Sequence, residues 1–307
     1  MKKILVIGSS NTDMIVTVKD FPVAGETVEG TSFFQAMGGK GANQALAAHR
    51  LGGNVTFVTA LGNDANGANT LKYYREEGLD VTALKVEEVP SGTAMIWVNE
   101  TGENCIVITP GANNRLSPAY IHDIREVIEK ADIVVMQMEI PYETVRTVCH
   151  IARELQKRII LNVAPARAVE RELLREVDIL VVNEVEAAII SGEKMEAIGV
   201  EAVMDRLLEM GTQSVLLTLG RRGSRYKSKE EAISTEAFMV TAVDTTAAGD
   251  TFCGAIAAEM ARGKTWNEAL RFASAASAIC VTRMGAQPSI PTEKEVRNFL
   301  KQHETNL

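Results

Sequence analysis

Short apolar runs alternate with longer amphipathic stretches along most of this 307-residue chain. The runs are rich in Val, Ile and Leu, which is typical of parallel strands that are covered on both faces. Because βαβ units with right-handed crossovers produce such an alternation, the sequence predicts a doubly wound, mostly parallel α/β sheet flanked by helices. The strand-like runs are Ile4–Gly8, Ile133–Met138, Ile159–Val163, Ile179–Val182 and Val215–Leu219. The helical stretches include Ser117–Lys130, Tyr142–Gln156, Val200–Met210, Gly249–Arg262, Trp266–Thr282 and Thr292–Gln302.

Two regions, residues 14–34 and 91–108, interrupt this alternation with short strand-like pieces and a turn at Glu100–Glu103. These are hairpin signals rather than βα units. We expect a single domain spanning residues 1–307, with the two regions forming one small sheet that projects from the main domain. The alternative is that they form an antiparallel edge of the main sheet.

Composition excludes several classes of protein. The net charge is −8 and there is no basic tract, which argues against a nucleic-acid partner. No apolar stretch approaches the ~20 residues needed to span a bilayer, and the run at Ile4–Gly8 is too short for a signal peptide. The four cysteines are scattered, which is typical of reduced thiols. We therefore expect a cytoplasmic enzyme that acts on small molecules, without a membrane partner.

Polar residues follow the apolar runs, where ligands of open α/β sheets bind. Asn11 and Asp13 follow the first run and are two positions apart, so their side chains would point the same way and could hold two hydroxyls of a polyol. An Asx turn that closes the strand is the alternative. Glu139 follows the next of these runs, Asn183 ends a later one, and Thr218 lies in the last.

The glycine-rich segment Gly38–Asn43 precedes a helical pattern at Gln44–Leu51. Glycines allow a backbone to approach a ligand closely, and Lys40 and Asn43 could complete a polar pocket. The segment is not a Walker A loop, since the pattern G-x-x-x-x-G-K-[ST] is missing. It is not a dinucleotide fingerprint either, since Gln44 stands where a third glycine would be required. A flexible turn into the helix is the alternative for the glycines.

The segment Val243–Phe252 is the most informative. Its small residues Ala247, Ala248 and Gly249 lead into a helix, so their backbone amides and the helix dipole could form an anion hole suited to a phosphoryl group in transfer. Asp250 would be aimed at the same point and act as a base. The alternative is that Asp250 caps the helix.

Two further features are ambiguous by themselves. Asn183 with Glu186 resembles a capping box, and the glycines Gly220 and Gly223 after Thr218 could approach a nucleotide or form a turn. No G-x-S-x-G elbow and no cluster with transition-metal spacing is present, which argues against a serine hydrolase and a transition-metal enzyme.

Taken together, these motifs resemble the ribokinase/PfkB family of carbohydrate kinases nearly from end to end. The matching segments are Gly8–Asp13, Gly38–Ala45, Gln137–Glu139, Asn183–Glu186, Thr218–Gly223, Asp244–Phe252 and Thr282–Ser289. One feature departs from the wider family. Ala247 stands where many members have glycine, and alanine at this position is typical of the ribose-phosphorylating members.

The resemblance implies roles for individual residues. The sugar hydroxyls would be held by Asn11, Asp13, Gly39, Lys40, Asn43 and Glu139, beside the base Asp250 and the anion hole of Ala247, Ala248 and Gly249. ATP would contact Asn183, Thr218, Gly220, Gly223, Gly249 and Ser274. A monovalent-cation site, typically filled by potassium, would involve Asp244, Thr246, Cys280, Arg283, Gly285 and Ser289. Positions 274 and 280 vary within the family.

The primary hypothesis is phosphorylation of D-ribose by ATP, with Mg²⁺ bridging the phosphates. The family resemblance also implies that regions 14–34 and 91–108 form a lid over the sugar, and that a homodimer forms through this lid. Related substrates remain open: 2-deoxyribose, fructose or a nucleoside. A non-catalytic sugar-binding protein on the same fold is the remaining alternative.

Overall fold

The computed structural model describes residues 1–304 and contains two β-sheets. The strands are β1 (Lys3–Ile7), β2 (Asn11–Thr17), β3 (Ser32–Gly38), β4 (Asn54–Gly62), β5 (Asp80–Val86), β6 (Gly92–Val98), β7 (Asn104–Thr109), β8 (Ile133–Met136), β9 (Arg158–Asn162), β10 (Ile179–Asn183), β11 (Ser214–Thr218), β12 (Ser224–Ser228) and β13 (Ala232–Thr235).

Twelve α-helices accompany these strands in residues 1–304. They are α1 (Lys40–Arg50), α2 (Ala65–Glu76), α3 (Pro118–Asp123), α4 (Arg125–Glu129), α5 (Tyr142–Glu154), α6 (Arg171–Leu174), α7 (Glu184–Ser191), α8 (Met195–Ile198), α9 (Val200–Glu209), α10 (Ala248–Ala261), α11 (Trp266–Cys280) and α12 (Glu293–Glu304). Within this described part of the chain, no helix has both the length and the apolar character that a membrane span requires.

The main sheet has nine strands in the order β13-β12-β11-β10-β9-β8-β1-β4-β5, and its strands from β11 to β5 are parallel. The predicted doubly wound sheet is therefore confirmed. Strand β4 pairs with one side of β1, and β8, which comes later in the chain, pairs with the other side. The strand order therefore reverses between β1 and β8. A crevice is expected beyond the carboxyl ends of strands at such a point.

Two apolar cores cover the faces of the main sheet. One includes Val134, Leu161 and Leu217 with the apolar side of α5, and the other includes Val6, Val135 and Ile160 with α10 and α11. Neighbouring strand residues face opposite cores because side chains alternate along a strand. Helix α10 is buried from Asp250 to Ala261, while Gly249, just before Asp250, is exposed.

The second sheet has the order β3-β2-β6-β7 and contains the two regions that interrupt the alternation. Strand β2 is antiparallel to β3 and parallel to β6, while β6 and β7 form an antiparallel hairpin. The alternative of an antiparallel edge of the main sheet is therefore wrong for these regions. The antiparallel edge of the main sheet is instead formed by β12 and β13.

One predicted element is corrected. Ser117–Lys130 is two helices rather than one, because the helical geometry is interrupted at Ile124, whose φ of −104° and ψ of 19° depart from helical values. The amide of Val127 then bonds the carbonyl oxygen of Ile124 and starts the next helix.

Candidate functional site

Close packing of α1 against α10 brings the glycine-rich segment to the helix that begins at Ala248. A Cβ atom added at Gly254 would lie 2.6 Å from the Cβ atom of Ala47 and 2.8 Å from the carbonyl oxygen of Gln44. Only glycine fits at this position, so Gly254 allows the two helices to approach. Residues that are far apart in sequence thereby meet at the first turns of both helices.

Asp250 is held in that first turn by two side-chain amides. Asn43 donates from Nδ2 to Asp250 Oδ2 over 3.0 Å, and Gln44 donates from Nε2 to Oδ1 over 2.9 Å. The residue before the helix, Ala247, has a left-handed φ of 59° and makes no side-chain cap, and Asp250 lies three positions after it. The capping alternative for Asp250 is therefore wrong, since its carboxylate points toward α1.

The backbone around Asp250 is accessible to a ligand. A Cβ atom added at Gly249 would meet nothing within 4 Å, so this glycine faces open space. The amides of Gly249 and Asp250 lie in the first turn of α10, where helix amides have no partner within the helix. Such amides, with the positive end of the helix dipole, form an environment that favours an anion.

Two more acidic side chains lie near Asp250. Glu139 accepts from Ser9 Oγ at 2.6 Å and from the backbone amide of Lys40 at 3.0 Å through its Oε2. Asp13 is only 7% exposed, and burial, followed by the nearby charges of Glu139 and Asp250, raises its pKa to about 7. The ammonium of Lys40 lies close to these carboxylates, and the charge of Asp250 in particular raises its pKa.

Asn11 and Asp13 share one face of β2, as the sequence predicts. The Asx-turn alternative is wrong, because both residues have strand conformation. Gly38 makes room for the carboxylate, since a Cβ atom there would lie 2.2 Å from Asp13 Oδ2. Gly39 has a φ of 90° and packs against the backbone of Asn11, which places the start of α1 beside this strand.

A buried asparagine that the motifs do not reveal orients Asn11. Asn113 donates from Nδ2 to Asn11 Oδ1 over 2.8 Å, and its own Oδ1 accepts from the amide of Ser10 over 2.9 Å. Because the oxygen of Asn11 is engaged, its Nδ2 is left for a ligand. The amide of Asn11 therefore presents a donor next to the acceptor of Asp13, in a polar crevice formed by Asn11, Asp13, Asn43, Glu139 and Asp250.

A pocket of about 340 Å³ opens on the other side of the first turn of α10. Its lining includes five of the residues predicted to contact a nucleotide, namely Thr218, Gly220, Gly223, Gly249 and Ser274. Gly220 has a φ of 56° and a Cβ atom there would meet nothing, whereas a Cβ atom at Gly223 would lie 1.9 Å from the carbonyl oxygen of Thr235. Gly223 thus has a structural reason to be glycine as well.

Asn183 does not line this pocket. Its Oδ1 accepts from the amide of Glu186 over 2.9 Å, and Glu186 Oε2 accepts from the amide of Asn183 over 2.8 Å. The capping box suggested by the sequence is therefore confirmed. Asn183 pairs with Thr218 in the sheet register, so it lies one strand away from the pocket lining.

The residues suggested for a monovalent cation lie in the loop before α10 and in the segment from the end of α11 to Ser289. Asp244 Oδ1 accepts from the amide and hydroxyl of Thr246, at 2.9 and 2.6 Å, and its Oδ2 accepts from the amide of Gly285 at 2.9 Å. Cys280 Sγ lies 3.0 Å from Ser289 Oγ and 3.7 Å from the carbonyl oxygen of Thr246.

The side chain of Arg283 is the exception in this group. Its guanidinium forms an ion pair with Glu295 of α12 at 2.6 Å, so it points away from the carboxylate of Asp244. Its backbone stays in the turn, where its amide donates to the carbonyl oxygen of Cys280 over 3.1 Å.

Comparison with known proteins gives one consistent result. Residues 1–293 match the family described as pfkB family carbohydrate kinase. The chain is 41% identical over 301 residues to the ribokinase of Bacillus subtilis, with 98% of this chain and 100% of that protein covered. It is also 34% identical over 306 residues to the deoxyribokinase of Salmonella typhi, with coverage of 98% and 99%.

A solved structure has the same fold. The Arabidopsis thaliana ribokinase complexed with ribose and ATP superposes with a TM-score of 0.91 at 33% identity, covering 98% of this chain and 99% of that one. The match includes both sheets, since it spans nearly all of each chain.

Proposed function

This chain belongs to the pfkB family of carbohydrate kinases and is a sugar kinase, and from that premise we propose that it transfers the terminal phosphoryl group of ATP to O5 of D-ribose. One observation carries the proposal. The first turn of α10 borders both halves of the site, because Gly249 lines the pocket of about 340 Å³ while Asp250 is bonded to Asn43 in the polar crevice. A phosphoryl group could therefore pass from one half to the other over this turn.

The polar crevice suits a polyol. Asn43 Oδ1 is buried without a hydrogen-bond partner in the described residues, and a sugar hydroxyl would satisfy it. Asp13 supplies acceptors, and Asn11 supplies a donor. The residues proposed to hold the sugar are Asn11, Asp13, Gly39, Lys40, Asn43, Glu139 and Asp250.

The transfer itself needs positioning and charge stabilisation more than covalent chemistry. The sugar hydroxyl attacks the terminal phosphorus in line, the bond from that phosphorus to the bridging oxygen of ADP breaks, and the hydroxyl proton passes to Asp250. The main chain of Ala247, Ala248, Gly249 and Asp250 is proposed as the anion hole that receives the charge on the phosphoryl oxygens. The products are ribose 5-phosphate and ADP.

ATP is proposed to occupy the pocket lined by Thr218, Gly220, Gly223, Gly249 and Ser274, with Asn183 at its margin. In residues 1–304 no three His, Cys, Asp or Glu side chains converge as a metal site. Mg²⁺ held chiefly by the phosphates, with few protein ligands, fits that arrangement and would neutralise phosphate charge when bound.

The loops around Asp244 fit a monovalent cation. This half-buried carboxylate accepts from two donors of its own loop and from the amide of Gly285 in the neighbouring loop, and oxygen ligands are what a hard cation prefers. We propose that Asp244, Thr246, Cys280, Arg283, Gly285 and Ser289 would hold K⁺, with Arg283 acting through its backbone. A bound cation would supply positive potential beside the anion hole.

ADP release tests the function. Purified protein with ATP and Mg²⁺ should release ADP fastest with ribose, compared with 2-deoxyribose, fructose and adenosine, and faster with potassium than without it. A preference for 2-deoxyribose would change the substrate and keep the enzyme class. No ADP release with any of these acceptors would contradict the proposal and favour a sugar-binding protein. A cytoplasmic location is part of the same proposal.

The orienting role proposed for Asn113 can be tested through sugar affinity. Asn113→Asp replaces a donor by an acceptor, so the amide of Asn11 should turn and lose its donor toward the sugar. We expect the KM for ribose to rise about tenfold, the effect of losing one net hydrogen bond of ~1.4 kcal/mol. The exposed Asn69→Asp, which adds the same charge on α2, is the matched control and should leave KM unchanged. An unaltered KM in Asn113→Asp would contradict the assignment.

The second sheet is proposed to act as a lid over the sugar and as the surface of a homodimer. Ile108 is 47% exposed and lies in the same row across the sheet as Ala94 and Asp13, so it faces the crevice side. Exposed apolar side chains on a small sheet are typical of a protein interface.

Ile108→Glu should convert the dimer to a monomer, because burying the new charge is costly. Light scattering after size exclusion measures this. Ile198→Glu, an equal change at a 40% exposed site on α8, is the control and should remain dimeric. A monomeric wild-type chain would contradict the dimer.

A further inference from the structure

A chain of buried amide side chains ends at the carboxylate of Asp250. Gln44 donates from its single Nε2 to Asp250 Oδ1 over 2.9 Å and to Asn162 Oδ1 over 3.0 Å. Gln137 donates from Nε2 to Gln44 Oε1 over 2.7 Å, and Asn162 donates from Nδ2 to the carbonyl oxygen of Val181 over 3.1 Å. Both hydrogens of the Gln44 amide are thereby engaged.

The two ends of this series of amides determine which atom of each amide donates and which accepts. A carboxylate and a backbone carbonyl can only accept hydrogen bonds, so Gln44 must present its nitrogen to Asp250 and Asn162 must present its nitrogen to Val181. The oxygen of Gln44 is then left facing Gln137, which holds it from the far side. Turning over the amide of Gln44 would place its oxygen against two acceptors.

Gly8, the residue directly after β1, makes this arrangement of amides possible. A Cβ atom added at Gly8 would lie 2.1 Å from Gln137 Oε1, so glycine at this position leaves space for the Gln137 amide. Gln44 and Gln137 are both 0% exposed. Neither side chain therefore reaches the crevice where a sugar would bind, and both act only on their buried neighbours.

We propose that Gln44 is a positioning residue that fixes the rotation of the Asp250 carboxylate, and that Gln137 fixes the amide of Gln44 in the required orientation. The proposal rests on the proposed function of Asp250 as base. Asn43 holds the other carboxylate oxygen, so without Gln44 the carboxylate is held at one oxygen only and can rotate. Small errors in the position of a reacting group are costly in rate.

Gln44→Met, which keeps the size of the side chain and removes its polar atoms, should lower kcat about 10- to 100-fold while KM for ribose stays within about twofold. Gln137→Met should lower kcat less. Because Gln137 acts through Gln44, adding Gln137→Met to Gln44→Met should cause no further loss of kcat, as expected for two residues acting in one network. The exposed Gln213→Met is the matched control and should retain normal turnover.

Several results would overturn the inference. These are normal kcat in Gln44→Met, a loss confined to KM or to melting temperature, and kcat effects of the two substitutions that multiply independently. The proposed function is judged separately, by ADP release from the wild-type chain with each sugar. An active wild type with fully active Gln44 variants would contradict the positioning role alone.

Discussion

Asp250→Asn is expected to lower kcat about 10²- to 10⁴-fold, the usual contribution of a positioned general base. The amide of asparagine has the shape of the carboxylate but cannot take the hydroxyl proton. Sugar affinity should change little, since six other proposed groups hold the sugar. Steady-state kinetics measures kcat, and calorimetric titration with ribose measures binding in the same preparation.

Asp250→Asn needs a control for stability, because two side-chain amides donate to the carboxylate of Asp250. Asn43 Nδ2 and Gln44 Nε2 each donate to one carboxylate oxygen, so an asparagine there would turn its own NH₂ group toward one of these donors. The melting temperature of the variant must therefore be compared with that of the wild type. Asp123→Asn removes the same charge at an exposed position on α3 and should remain fully active. Near-normal turnover in Asp250→Asn would show that the base is misassigned.

The parallel strands that were predicted share one physical property, burial on both faces. This makes them continuous apolar runs, which is the pattern that the sequence displays. The strand β4 was not recognised, because Thr56 and Thr59 interrupt its apolar run. The strands β5, β12 and β13 lie at or next to the edges of the main sheet and have polar or half-exposed residues, so no continuous run marks them.

The candidate site was predictable where its residues are neighbours in sequence. The segment Ala247–Asp250 brings small residues and a carboxylate to one helix start, and Asn11 and Asp13 share a strand face. The buried side chains that orient these groups were not predicted. Gln44 and Asp250 are 206 positions apart and Asn113 and Asn11 are 102 apart, so each contact depends on the tertiary fold. Gln44 lies within the matching segment Gly38–Ala45 and Asn113 lies in a short 3-10 helix, Gly111–Arg115, and nothing local marks the partner of either residue.

Asp13→Asn is expected to weaken ribose binding and to stabilise the protein at alkaline pH. An ionised Asp13 can accept hydrogen bonds from sugar hydroxyls, and hydrogen bonds to charged groups contribute about 1.5–3 kcal/mol each. Removing the charge should therefore raise KM for ribose by roughly tenfold to a hundredfold. In the wild type, binding should strengthen as pH rises through about 7, the pKa of this carboxyl group.

The stability effect has the opposite sign. The pKa of Asp13 is raised from 3.8 to about 7 on folding, so between these values the folded chain binds more protons than the unfolded chain. The free energy of unfolding therefore decreases as pH rises over this range, by at most about 4 kcal/mol at 1.36 kcal/mol per pKa unit. An asparagine carries no charge to bury, so the variant does not lose this stability.

Chemical unfolding of both proteins without ribose, at pH 5.5 and at pH 8, measures this difference. The variant should gain free energy of unfolding relative to the wild type on going from pH 5.5 to pH 8, while remaining the weaker sugar binder. At the higher pH the buried carboxylate destabilises the wild type. The same carboxylate is the acceptor that the crevice offers to the sugar. If the two proteins show parallel pH dependence of unfolding, Asp13 does not titrate near neutrality, and its charge cannot explain a pH-dependent affinity for the sugar.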